Sequence, residues 1–276
     1  MRINPIAEER LEVLGLSTRI FQSCEDGEEA IVCLHGGPGS ANDWDYFLPR
    51  LARLSRIVAF DLPGFGQADK PSHLAYSALS WSAFVGGVLE RLRVRRVHLV
   101  ANDLGGDAGL HWGVSHPQAF ASASLINTGA LIGYRWHLIG KLHRAPVGGE
   151  IAALGGGVGL RPIMRFYEPN LPQSVIKRWR GEYDLATRRA MLRFYRSAPS
   201  SSMGRIAPEL RALDRPAVVL WGAQNRYVSV VQAERQRESF PSAEVVVLDG
   251  LGHYAHLQAP ERVEEQLVSF LRAQLR

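Results

Sequence analysis

Six short runs of apolar residues recur along the chain, each rich in β-branched residues and each closed by turn formers. They are "AIVCLHGG" at 30–37, "RIVAFDLPG" at 56–64, "RVHLVAND" at 96–103, "SASLINTG" at 122–129, "AVVLWGAQN" at 217–225 and "AEVVVLDGLGH" at 243–253. Continuous apolar runs of this kind predict strands buried on both faces, as in a parallel sheet. Between them the spacing becomes helical, at 77–94 and at 260–275, the second opening on proline and acids as a helix start does. Alternating β and α predicts an α/β fold, a doubly wound and mostly parallel sheet. The amphipathic segment 11–24 is predicted to supply an antiparallel strand pair ahead of the parallel part.

From 130 to 210 the alternation stops, giving way to helical pieces and a Gly-rich stretch, "VGGEIAALGGGVGL". This reads as an insertion after the sixth strand, leaving 1–129 and 211–276 as the core. The insertion holds 13 of the 32 Lys and Arg but 5 of the 27 Asp and Glu, so the basic residues are segregated there. Solvated helix faces account for that. The sharper reading is a lid that draws in an anionic or carrier-bound small-molecule substrate.

At 276 residues the chain fits one sizeable domain, or a domain plus an insertion. Apolar residues at 46% and charged residues at 21% match ordinary soluble proteins, which argues against disorder. No apolar run approaches the roughly 20 residues that cross a bilayer, and the opening "MRINPIAEERLEV" has no basic segment followed by an apolar one. No membrane partner and a cytoplasmic location are the resulting expectations. The net charge of +5 is modest, and the basic residues do not alternate with aromatics, which argues against nucleic acid. Of the two cysteines, Cys24 and Cys33, the second sits in an apolar run and reads as a buried, inert thiol. No ligand cluster or phosphate loop is present, so neither a metal nor another cofactor is expected.

Three motifs fall at strand ends, where ligands bind in open parallel sheets. In "HGGPGS" at 35–40 the glycines let backbone approach a ligand, with the Gly37 N–H as a donor. In "ANDLGG" at 101–106, small Ala101 and Gly105 flank Asp103, so a tight strand-to-helix turn can lift its side chain into a pocket. In "DGLGHYAH" at 249–256, His253 sits on a Gly-rich loop, with His256 as a competing candidate. The plain alternatives are an N-cap for Asp103 and a surface histidine for His253.

In this order the three motifs resemble the α/β-hydrolase superfamily over essentially the whole chain. "DLPGFGQADKP" at 61–71 looks like that family's loop after the fourth strand, and 130–210 corresponds to its helical cap. An aspartate at the elbow is similar to the epoxide hydrolases and haloalkane dehalogenases. The resemblance implies that Asp103 attacks an sp³ carbon to form an alkyl ester, for which a carboxylate is competent where it is poor against an ester carbonyl. It implies further that His253 activates the water that cleaves the ester, with the backbone N–H groups of Gly37 and Leu104 as the oxyanion hole.

The chain departs from the pattern at the acid that orients the histidine. The family's W-G-x-x-D reads here "WGAQN", placing Asn225, and the alternative position after the sixth strand holds Asn127. An amide can accept a hydrogen bond from the imidazole but cannot stabilise an imidazolium by charge. Asp249, Asp107 and Glu168 are the substitutes to weigh. The residues that hold a leaving halide in related dehalogenases are replaced by Leu104 and Gly37, which argues against dehalogenation. Epoxide opening needs an acid for the leaving alkoxide, and the candidates are Tyr134, Tyr167, Tyr183 and Tyr195, although tyrosines on helices often only pack. Two other readings stand beside this one. One is non-hydrolytic acid/base chemistry, a cyclisation or ring opening, with Asp103 and His253; the other is a non-catalytic ligand-binding relative.

Overall fold

The computed structural model describes residues 5–23, 27–197 and 202–275; Cys24 lies outside them. Eight strands form one sheet in the order β1-β2-β4-β3-β5-β6-β7-β8. The parallel strands are β3 (Glu29–Leu34), β4 (Arg56–Phe60), β5 (Arg96–Asn102), β6 (Phe120–Ile126), β7 (Ala217–Gly222) and β8 (Glu244–Leu248), one from each apolar run. The antiparallel pair is β1 (Ile6–Val13) and β2 (Leu16–Ser23), and β2 joins the sheet against β4. This hairpin begins at Ile6 rather than at residue 11, because β1 is an edge strand whose Glu8, Glu9 and Arg10 face solvent and leave no apolar signal.

The central strands are buried because helices cover both faces. On one side α2 (Ala78–Arg91) and α3 (Leu104–Ser115) pack with α8 (Ala207–Leu213). Ser77 starts α2 with a reciprocal cap, its hydroxyl accepting from the Ser80 N–H at 3.3 Å while its own N–H donates to Ser80 at 3.1 Å. Trp81, Phe84, Val85, Val88 and Leu89 then follow at i, i+3, i+4, i+7 and i+8 and turn one stripe into the core. On the other side α1 (Leu48–Leu51) and α11 (Pro260–Gln274) bring Leu51, Val263, Leu267 and Leu271 against Ile31 and Val218. Cys33 lies in this second layer, where burial pushes its thiol far up and leaves it unreactive. Short helices α9 (Val231–Arg235) and α10 (Ala255–Gln258) complete the core.

Between β6 and β7 lie α4 (Leu138–Arg144), α5 (Gly148–Tyr167), α6 (Gln173–Glu182) and α7 (Leu185–Ser197). Position 210 falls inside α8, which packs on α3. The Gly-rich stretch begins at Val147, the N-cap, and continues through the first part of the 20-residue α5. Arginines of α7 brace it, Arg196 on Glu150 at 2.6 Å and Arg188 on the Leu154 carbonyl at 2.6 Å. Among the described residues no helix is long and apolar enough to cross a membrane.

Asp43, in a 3-10 turn after β3, ties the inserted helices to the core. One of its oxygens accepts from Arg178 at 2.5 Å and from the Trp179 indole at 2.8 Å. Burial outweighs both partners and pushes the carboxyl up to about 7. Because the folded chain holds this proton more tightly than the unfolded chain, the stability it contributes is full below about pH 4 and is lost as pH rises through about 7. Urea unfolding across that range is expected to show a smaller loss in Asp43→Asn, which keeps the acceptor oxygen without the charge; identical slopes would refute the assignment.

Candidate active site

Asp103 sits between the last residue of β5 and the first of α3 with φ 49° and ψ −122°. This conformation is rare for a residue with a side chain and persists only where its surroundings over-determine it, at a cost of about 1–3 kcal/mol. Two glycines provide that tightness. A Cβ on Gly36 would lie 2.6 Å from the Asp103 Cβ, and one on Gly105 would lie 2.3 Å from the Leu34 carbonyl oxygen. The Thr128 hydroxyl closes the turn by donating to the Asp103 carbonyl at 2.7 Å. The side chain makes no capping hydrogen bond to α3; its Oδ2 instead accepts from the Gly37 N–H at 2.9 Å. Burial raises the carboxyl's pKa, but His253 and the N–H groups of Gly37 and Leu104 outweigh it and hold the group below its ordinary value.

His253 lies on the loop from β8 to α10, its Nε2 3.6 Å from Asp103 Oδ1. Glu168, from the end of α5, fixes this loop from the inserted segment. It accepts from the His253 backbone N–H at 3.2 Å and from Gln258 at 2.6 Å, and burial pushes its carboxyl up. Glu168 therefore hydrogen-bonds the backbone of His253 and acts on its imidazole only through charge. Asp107 faces His111 at 3.4 Å with its carboxyl raised by burial to about 6, and Asp249 is exposed; neither meets His253. His256 is buried against Trp44 at 4.8 Å, away from Asp103, and burial lowers it to about 3.

The group on the second imidazole nitrogen is Asn225, its Nδ2 3.0 Å from His253 Nδ1. The direction of this bond follows from backbone groups that have only one role. The N–H groups of Tyr227 and Val228 can only donate, and they reach the Asn225 oxygen at 2.9 and 3.0 Å. The Gly222 N–H likewise donates to Asn127 Oδ1 at 2.9 Å, while the carbonyls of Gly252 and His253 accept from Asn127 Nδ2 at 3.1 and 2.9 Å. Asn225 Nδ2 is thus left to donate to Asn127 Oδ1 at 3.0 Å and to His253 Nδ1. The expectation that Asn225 accepts from the imidazole is reversed: the amide donates.

Above Asp103 lies a cavity of about 210 Å³ enclosed by the core and the inserted helices. Gly37, Leu104 and His253 line it beside Asp103, Met191 packs against Gly37, and Trp136, Leu160 and Phe194 are also in its wall. Tyr134, Tyr183 and Tyr195 line it too, whereas Tyr167 does not and stacks on Tyr227 at 4.8 Å. Sequence reasoning missed His137, Tyr227 and Tyr254. The two tyrosines adjoin Asn225 and His253 along the chain, which is the signal that could have found them. Tyr254 donates to the Gly37 carbonyl at 2.9 Å. His137, whose Nδ1 accepts from the Gly140 N–H at 3.3 Å, is lowered by burial to about 4.

A family model described as the alpha/beta hydrolase fold matches residues 29–260. The dihydrolipoyllysine-residue acetyltransferase component of the acetoin cleaving system of Pseudomonas putida is 29% identical, over 96% of this chain and 70% of its own. A solved haloalkane dehalogenase from Bradyrhizobium elkani superposes with a TM-score of 0.85 at 20% identity, covering 98% of both chains. A solved epoxide hydrolase from Vigna radiata superposes with a TM-score of 0.78 at 18% identity, covering 97% of this chain and 98% of its own.

Removing the Glu168 carboxylate would leave the buried N–H of His253 and the half-buried amide of Gln258 without their acceptor, at about 1–3 kcal/mol for the buried group. Glu168→Ala is expected to lose at least about 1 kcal/mol in denaturant unfolding. Unchanged stability would show that the loop does not depend on it.

Proposed function

The chain belongs to the α/β-hydrolase fold family and is an enzyme of that type, and from this premise we propose that its reacting group is the Asp103 carboxylate. The observation that carries the reading is the carboxylate itself: ionised, held at the elbow by the Gly37 N–H, and placed on the wall of an apolar cavity. The fitting substrate is a small, mainly apolar molecule with an sp³ electrophile, an epoxide in the first place. No Lys or Arg is among the described residues lining the cavity, so the basic surface of the inserted helices gives no support for an anionic reacting group.

The first step forms a bond between an Asp103 oxygen and the substrate carbon as the epoxide C–O bond breaks, its electron pair going to the ring oxygen. That alkoxide takes a proton from a phenol of the inserted segment. Tyr195 and Tyr134 suit the role, since burial and then the nearby Asp103 charge raise both phenols and keep them protonated. Tyr183, raised to about 12 by burial alone, is a weaker candidate. The ester carbonyl then lies beside the N–H groups of Gly37 and Leu104, as an oxyanion hole requires. A halide would find no side-chain N–H at Leu104 or Gly37. A second reading, non-hydrolytic ring opening or cyclisation, draws on the amide that donates to His253, because it needs no activated water.

Incubation with epoxides and alkyl halides, followed by intact mass measurement and peptide mapping, is expected to show one added substrate on the Asp103 peptide. The gain should favour epoxides and vanish in Asp103→Asn; no adduct across the panel would overturn the reading. Because the carboxyl titrates below its ordinary value of 3.8, adduct formation should stay level from about pH 7 to about pH 5. A fall centred near pH 6 would assign the reacting ionisation to another group.

A further inference from the structure

In its neutral form an imidazole carries one proton, and at His253 the amide decides where that proton lies. Nδ1 accepts from Asn225 Nδ2 at 3.0 Å, so it is bare and the proton resides on Nε2, 3.6 Å from Asp103 Oδ1. We propose that Asn225 locks His253 in this tautomer, so that alkyl transfer to Asp103 is followed by slow breakdown of the ester. This rests on the preceding reading of Asp103 as the nucleophile.

Forming the ester needs only the carboxylate and a proton for the alkoxide, and both are at hand. Breaking it needs water to attack the ester carbonyl carbon while its proton passes to a ring nitrogen whose lone pair faces the cavity. Nε2 has no lone pair free in this tautomer, and the Nδ1 lone pair is turned toward Asn225. The opposite tautomer would set an Nδ1–H against the amide NH₂. Flipping Asn225 to relieve that would turn its NH₂ onto the N–H groups of Tyr227 and Val228, and its oxygen onto Asn127 Oδ1. Flipping Asn127 as well would set its NH₂ against the Gly222 N–H and its oxygen against two carbonyls. Each escape creates more mismatches than it removes, and Glu168, engaged with the His253 backbone, offers the imidazole no other acceptor.

An amide in the acid position of a catalytic triad costs about 10⁴-fold through the wrong tautomer, and a positioned general base contributes about 10²–10⁴-fold. Ester breakdown in this protein is therefore expected to be about 10²-fold or more slower than in Asn225→Asp. The test has two parts. Long-range ¹H–¹⁵N correlation spectra, with His253 assigned by its loss in His253→Gln, should show Nε2 protonated and Nδ1 bare. The reverse pattern would overturn the proposal, and this readout is independent of Asp103 chemistry and of how Asn225→Asp folds. The decay of a preformed Asp103 ester is then followed in both proteins, and equal rates would overturn the slow breakdown of the ester. Absence of any adduct would overturn the Asp103 reading and the slow breakdown together, with the spectra still deciding the tautomer.

Discussion

A left-handed backbone at Asp103 is the constraint on which the site depends. The turn survives because Gly36 and Gly105 let two loops and a strand end approach to distances that no side chain would permit. Release the turn and the carboxylate leaves the Gly37 N–H, the His253 imidazole and the cavity at once. The parallel sheet makes this possible by delivering Gly36, Asp103, Asn127, Asn225 and His253 to one edge, each just beyond the C-terminal end of a strand.

A second layer of control lies in hydrogen-bond direction. The two asparagines form a chain whose polarity is set by backbone groups that can act only one way, and that polarity reaches the imidazole. A carboxylate in place of Asn225 would draw the ring proton to Nδ1; the amide drives it to Nε2. Nothing in the volume of the side chain changes, yet the nitrogen facing the cavity passes from acceptor to donor. Glu168 adds positional control from the inserted segment, holding the same histidine by its main chain.

Most of the sheet was legible in the sequence, because strands covered on both faces must be apolar throughout, and "AIVCLHGG" or "AVVLWGAQN" admit few other readings. The edge strand β1 was half hidden, since Glu8, Glu9 and Arg10 face water and erase the pattern. The glycines of α5 carry low helix propensity, and arginines from α7 supply the support that local propensity withholds. Asp103, His253 and Asn225 could be singled out by their places after strands. The direction of the Asn225 bond could not, for it depends on which way the N–H groups of Tyr227 and Val228 point. The cavity walls were legible only in part. Tyr167 and Tyr195 are both tyrosines of the inserted helices, and only packing distinguishes the one against Tyr227 from the one on the cavity.

Oxygen labelling tests the central claim most directly. In a single turnover of an epoxide with excess enzyme in ¹⁸O water, the account predicts that the substrate carbon ends on an unlabelled Asp103 oxygen, with no diol released on the timescale of ester formation. Release of an ¹⁸O-labelled diol in that turnover, with the Asp103 peptide unmodified and unlabelled, would mean that water attacks the substrate directly and would contradict it.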